Sequence, residues 1–190
     1  MSGTSPSGSG VSPYAFGEKV RRVLWGVVQA TLFRGSFHTF YGWRRMLLRA
    51  FGARLAASAR VRRTVRVECP WNLAIGEDSS VGDFATLYCL GPVRIGKGVT
   101  ISQGAHLCAG SHDSRKATMP LLRPPIEIDD DAWIAADAFV GPKVRVGEGA
   151  ILGARAVALD DLAPWGIYLG NPAVRVRERE FEGRSARAGR

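Results

Sequence analysis

Through the middle of this chain a branched or long apolar residue returns at every sixth position, a period that few folds accommodate. The clearest run is Ile128, Ile134, Val140, Val146 and Leu152, with Gly141, Gly147 and Gly153 following the last three. Four positions after each anchor stands a small or β-branched residue: Ala132, Ala138, Val144, Ala150 and Ala156. A period of six is neither the spacing of a helix nor the alternation of a long strand. It fits one short strand and one turn per hexad, wound into a closed coil that stacks on its neighbours. Each anchor then points into a narrow interior, the small residue occupies its tightest point, and glycine accepts the turn. The end of such a stack is an open parallel ladder that must be covered.

Followed backwards, the register yields five triangular coils of three hexads. Leu55, Val61 and Val67 make the first, and a step of eight leads to Ile75, Val81 and Leu87. A second step of eight leads to Ile95, Ile101 and Leu107. The extra residues fall near Pro70 and Trp71, then near Gly91 and Pro92, in steps that start twenty positions apart at Val67 and Leu87, so the same corner bulges twice. Ile128, Ile134 and Val140 form the fourth coil, and Val146, Leu152 and Ala158 the fifth. The expected fold is an all-β core at 55–163 carrying a projecting loop at 108–127. A flexible N-terminus at 1–15 and a helical segment at 16–54 precede it. A C-terminal segment at 164–190 follows, fraying from Arg177 onward.

Helical spacing runs over 16–33. Val20, Val23, Leu24, Val27, Val28 and Leu32 share one face there, and Glu18, Lys19, Arg22 and Gln29 favour the other. A second helix is expected at 41–51, with Trp43, Met46, Leu47 and Ala50 inward and Arg44, Arg45 and Arg49 outward; Gly52 suits its stop. Two compatible readings stand: the helices cap the open ladder, or their basic amphipathic surface lies on an anionic membrane.

The formal charge is +9, and 22 of the 26 basic residues are arginine. That balance suits anionic ligands, a membrane surface or nucleic acid. Nothing reads as a stacking platform or a recognition motif, so no specific nucleic-acid partner is expected. Cys69, Cys89 and Cys108 have no metal-ligand spacing and no even count, so they read as reduced thiols and no metal is expected. With no secretory signal and no long apolar span, the expected location is cytoplasmic, at the inner face of the membrane if the helices bind one.

The rhythm fails once on a large scale. Leu107 and Ile128 are 21 positions apart where six would continue the coil, and the insertion holds Ser111, His112, Asp113, Arg115 and Lys116. A rigid scaffold projecting one polar loop is a common way to place functional groups. His112 suits proton transfer near neutral pH, although a lone histidine is more often structural. His106 and His38 stand outside this loop and read as corner or cap residues. Trp133 immediately precedes anchor Ile134, so alternation turns it outward.

The hexads resemble those of the hexapeptide-repeat acyltransferases. The chain is most similar to the acetyltransferases of colanic acid and exopolysaccharide biosynthesis, through PWNLAIG (70–76), GPVRIG (91–96), ISQGAHLCAGSHD (101–113), AWIAADAFV (132–140) and GNPA (170–173). The resemblance implies a left-handed parallel β-helix and a homotrimer. It also implies acetyl-CoA as donor, without a metal, and transfer to a hydroxyl of a sugar or lipid-linked sugar. By motif position His112 is the general base, with Asp113, Trp133, Cys89 and Ser102 as active-site wall. Cys89 departs from the asparagine usual in that stretch, which leaves acceptor recognition there open. Lys143, Gly153, Ala154, Arg155, Pro172 and Arg175 are the implied coenzyme A groove. An amino-sugar N-acetyltransferase and a noncatalytic scaffold at a membrane assembly are the alternatives.

Overall fold

The computed structural model describes residues 14–180. Most of the expected flexible N-terminus and the last ten residues of the tail lie outside the described residues. The body is a triangular parallel β-helix whose three sheets form three faces. Face A stacks Arg54–Leu55, Leu73–Ile75, Val93–Ile95, Ile126–Ile128 and Arg145–Val146. Face B stacks Arg60–Val61, Ser80–Val81, Thr100–Ile101, Trp133–Ile134, Ile151–Leu152 and Gly166–Leu169. Face C stacks Arg66–Val67, Thr86–Tyr88, His106–Cys108, Phe139–Val140 and Val157–Ala158.

The anchors are in register throughout. Leu55, Ile75, Ile95, Ile128 and Val146 are paired in succession on face A. Val61, Val81, Ile101, Ile134 and Leu152 do the same on face B. Val67, Leu87, Leu107, Val140 and Ala158 complete face C. Every anchor is buried, as are the small residues Ala59, Ala85, Ala105, Ala138 and Ala156. Ser79 occupies a small position without a penalty, because its hydroxyl donates to Gly96 O at 2.7 Å and accepts from Val99 N at 2.9 Å.

Beyond the five coils runs a sixth, irregular one. Leu162 bridges Val146, and Tyr168 pairs with Leu152, so both take anchor places. They are six apart, but Leu162 is only four positions after Ala158, and this short step hides the coil from a hexad count. The expected fraying from Arg177 is corrected. Val174–Glu178 is a strand antiparallel to Gly166–Leu169, Arg177 pairs with Ile167, and the Arg179 guanidinium donates to Asp131 O and Gly149 O.

The first coil shows how the open end is closed. Within the stack, anchor carbonyls accept amides from the preceding coil: Ala56 N to Ile75 O, Arg62 N to Val81 O and Glu68 N to Leu87 O. Leu55, Val61 and Val67 have no preceding coil. Their carbonyls accept instead from the Arg49 guanidinium at 2.6 Å, Arg44 Nε at 2.7 Å and Trp25 Nε1 at 2.7 Å. Arg45 donates to Ala59 O at 2.9 Å, and Gln29 Oε1 accepts the Val67 amide at 2.7 Å. The donors come from helix α1 (Phe16–Val28) and helix α2 (Tyr41–Ala50), and the acceptor for the Val67 amide comes from the π turn Gln29–Phe33.

The expected placement of Arg44 outward and of Trp43 and Met46 inward on α2 is therefore corrected. Arg44 is fully buried, bonded also to Ser36 Oγ, Phe37 O and His38 O, whereas Trp43 and Met46 are exposed. On α1 the polar side faces the coil: Glu18 pairs with Arg123, Arg22 with Glu68, and Trp25 packs with Phe33 and Phe51. Its apolar side, Val20, Val23, Leu24 and Val27, faces outward. The carbonyl row selects donors over hydrocarbon, because an unmet buried carbonyl costs more than an exposed valine.

Candidate active site

The insertion leaves the corner between faces C and A as an antiparallel ribbon, Ser111–His112 against Leu121–Leu122. Its root is tightly fitted. A side chain at Gly91 would overlap the carbonyl oxygen of Pro124, and one at Gly110 would lie 2.8 Å from the Tyr88 ring. Leu121 packs on the core, and Arg123 meets Glu18 of α1 at 3.2 Å. Asn72 Nδ2 donates to Cys89 O and Leu90 O, holding the turn that follows Thr86–Tyr88.

His112 is exposed on the ribbon, and its Nδ1 lies 2.6 Å from the carbonyl oxygen of Met119. A carbonyl only accepts, so Nδ1 carries the hydrogen, and in the neutral imidazole the lone pair is on Nε2. Met119 holds the turn in a left-handed conformation at φ 41°. Asp113 is mostly buried in the same turn; it accepts from Arg115 N and Nε, and its own amide donates to Pro120 O. It shapes the turn and has no bond to the imidazole among these contacts.

Trp133 and Ser102 come together elsewhere. Trp133 is 43% exposed on face B, and its Nε1 donates to Ser102 Oγ at 2.9 Å. A neighbouring cleft of about 320 Å³ on that face is lined by Tyr41, Arg60, Arg62, Thr100, Ser102 and Gln103, among others. In a triangular coil, face B is opposite the corner from which the His112 ribbon leaves. A single chain therefore holds the two halves of the expected wall on opposite sides.

Cys89 is corrected as a wall residue. It is wholly buried beside Cys69, whose carbonyl accepts its thiol hydrogen at 3.2 Å, and burial pushes its pKa up to about 12. A thiol so placed neither meets a solute nor ionises. Cys108 is half-buried at the ribbon root, with Sγ 3.4 Å from Gly110 O.

The expected groove residues bracket face C. Lys143 is exposed at the corner between faces C and A, where its amide donates to Pro125 O. Gly153, Ala154 and Arg155 form the turn between faces B and C, and Pro172 follows a cis peptide bond at the corresponding corner of the sixth coil. Arg175 lies in the terminal strand beside face B. Between the corners His106 stands edge-on to Phe139 and Tyr88. Burial first, and then nearby Arg66, hold its pKa below the usual imidazole value. Among the described residues, no group of three His, Cys, Asp or Glu converges as a metal site.

Stacked hexad coils interrupted by one histidine-bearing ribbon define the class: a parallel β-helix built of hexad repeats. No family model matches the chain. It is 40% identical over 163 residues to WcaF of Escherichia coli strain K12, named as a colanic acid biosynthesis acetyltransferase, covering 86% of this chain and 90% of that protein. The chain belongs to the family of acetyltransferases that WcaF represents. Galactoside acetyltransferase in complex with coenzyme A superposes with a TM-score of 0.80 at 20% identity, covering 89% of this chain and 86% of that one. A hexapeptide-repeat acetyltransferase of Vibrio cholerae complexed with acetyl coenzyme A gives 0.79 at 21%, covering 92% and 95%.

Met119, Asn72 and the Glu18–Arg123 pair belong to the site's support and were not singled out from sequence. Met119 acts through its backbone, which leaves no trace in side-chain chemistry. Asn72 stood inside the PWNLAIG stretch, and that position was the available signal.

Proposed function

We propose that the chain transfers an acetyl group from acetyl-CoA to a hydroxyl of a sugar, free or lipid-linked, in exopolysaccharide assembly. One observation carries this reading: His112 is presented on the projecting ribbon with Nδ1 engaged by Met119 O, leaving Nε2 as a proton acceptor. His112 Nε2 takes the hydroxyl proton as the oxygen attacks the thioester carbonyl. The carbon–sulfur bond then breaks, and the proton returns from Nε2 to the departing thiolate, leaving an ester and coenzyme A. Acetyl-CoA supplies only the activated acyl group. Lys143, Arg155 and Arg175 suit its phosphates: each is exposed, and the acidic partners of the two arginines, Asp137 at 3.7 Å and Glu178 at 4.0 Å, are long, surface contacts.

The active unit is a homotrimer. Its support is the split wall, since a second copy's face B, with Trp133 and Ser102, is what a ribbon on the opposite corner can reach. Holding both substrates in that groove removes much of the entropic barrier. The trimer works in the cytoplasm against the inner face of the membrane.

The test measures coenzyme A release from acetyl-CoA with a panel of sugars, amino sugars and lipid-linked sugars, for wild type and His112→Ala. Turnover with a hydroxyl acceptor that disappears in the variant supports the reading. Equal turnover by the variant overturns the base role, and acetylation confined to amino sugars overturns O-transfer.

A further inference from the structure

We infer that the outward side of α1 and the segment joining it to α2 enter an anionic lipid bilayer. This deepens the peripheral contact proposed above, and the docking itself requires no acetyl transfer. Phe16, Val20, Val23, Leu24 and Val27 recur at helical spacing on one side of α1, with Phe16 82%, Val23 67% and Val27 59% exposed. Past the π turn the apolar surface continues through Leu32, Phe37 (66% exposed), Phe40, Trp43 and Met46. A cleft of about 430 Å³ bounded by Leu32, Phe37, Phe40 and Trp43 lies in this surface.

This side cannot simply rotate inward. The opposite side of α1 is held by Trp25 Nε1 on Val67 O, by the Arg22–Glu68 pair and by Glu18 with Arg123, while Gln29 in the following turn holds Val67 N. Turning the helix would abandon those bonds and reopen the ladder.

Charge selects the occupant. Between Lys19 and Val67 lie twelve of the chain's 26 basic residues and none of its 17 acidic ones; with the flanking Glu18 and Glu68 included this end carries +10, while the remainder carries −1. Lys19 and Arg34 are exposed, one position from Val20 and two from Leu32. A second copy meeting this end with its own would bring two such fields together, which opposes association. An anionic bilayer provides both an apolar interior and the opposite charge, the combination that holds amphipathic helices at an interface.

The experiment is flotation of the full chain with phosphatidylcholine vesicles, with and without about a third phosphatidylglycerol, a fraction high enough to make the surface strongly anionic. Wild type should float with the anionic vesicles, release as salt rises and stay behind with the neutral ones. The double variant Val23→Glu/Val27→Glu should lose roughly tenfold or more in partitioning, with unchanged circular dichroism and unchanged mass by light scattering. Flotation equal to wild type would overturn the proposal, as would a change in oligomeric mass, which would assign the stripe to protein–protein contact. With neither acetyl-CoA nor sugar present, failed flotation leaves the acetyl-transfer reading standing, and failed acetyl transfer leaves the docking standing.

Discussion

The carbonyl oxygen of Met119 lies 2.6 Å from Nδ1 of His112, so the turn of the ribbon fixes the tautomer of the imidazole at its base. Removing the imidazole with His112→Ala should lower kcat by about 10²–10⁴ without altering the melting temperature. Because the Met119 contact is a backbone one at φ 41°, Met119→Gly should keep most of the activity. Met119→Val should lose it, since a β-branched residue resists that conformation. Steady-state kinetics on the three variants separates the carbonyl from the side chain.

His112 and Trp133 stand on opposite sides of one protomer, and this sets a complementation test. His112→Ala and Trp133→Ala should each be weakly active alone. Co-expressed in equal amounts, they should form mixed trimers in which about a quarter of interfaces carry both intact residues. Partial recovery of turnover checks this, and no recovery argues that both residues serve the same protomer's site.

Arg44 offers a test of the end cap. Arg44→Met keeps the length and removes the bonds to Val61 O, Ser36 Oγ, Phe37 O and His38 O. The loss should be about 3–5 kcal/mol, because acceptors stay buried without donors. Arg49→Met, which strips a less enclosed carbonyl, should cost about 1 kcal/mol. Urea unfolding of both variants provides the comparison.

Cys89 should be inert. Its thiol, pushed up to about 12 and wholly buried, should resist iodoacetamide in the native state, while Cys108 at the ribbon root reacts first. Mass mapping after brief alkylation reads the order. Cys89→Ala should cost about 1 kcal/mol from lost packing and leave turnover near wild type.

His106 gives stability a pH dependence. Burial and Arg66 lower its folded pKa below the unfolded value of about 6.5. At lower pH the unfolded chain therefore binds a proton that the folded chain resists. This contribution is absent above about pH 6.5 and destabilises progressively as pH falls through that value toward the folded pKa. Melting temperatures from pH 7.5 to 5 should fall less steeply for His106→Gln than for wild type.

The coil register was legible because interior width permits one anchor and one small residue per hexad. Leu55 through Ala158 could thus be placed by counting, and Leu162 was lost because a four-residue step breaks the count. Helical spacing showed that α1 has two unlike sides, but not which side meets the coil. That choice depends on the unmet carbonyls of Leu55, Val61 and Val67, a property of backbone direction that no side-chain pattern records. Arg44 was placed outward for the same reason. The insertion marked His112, whereas the distance of Trp133 from it required the three-face topology.

The cap on the first coil also limits growth. A solenoid whose last ladder is bare can accept another strand or another molecule, coil upon coil, and elongate into a fibre. Here guanidinium and indole groups stand in for one missing turn of peptide amides, and they occupy the carbonyls that a further chain would need. At the far end, Val174–Glu178 runs antiparallel along Gly166–Leu169 and shields one face of the last ladder with alternating arginines. The arginine content near the N-terminus thus acts as a terminator, setting how long the stack can be before it sets what the surface attracts.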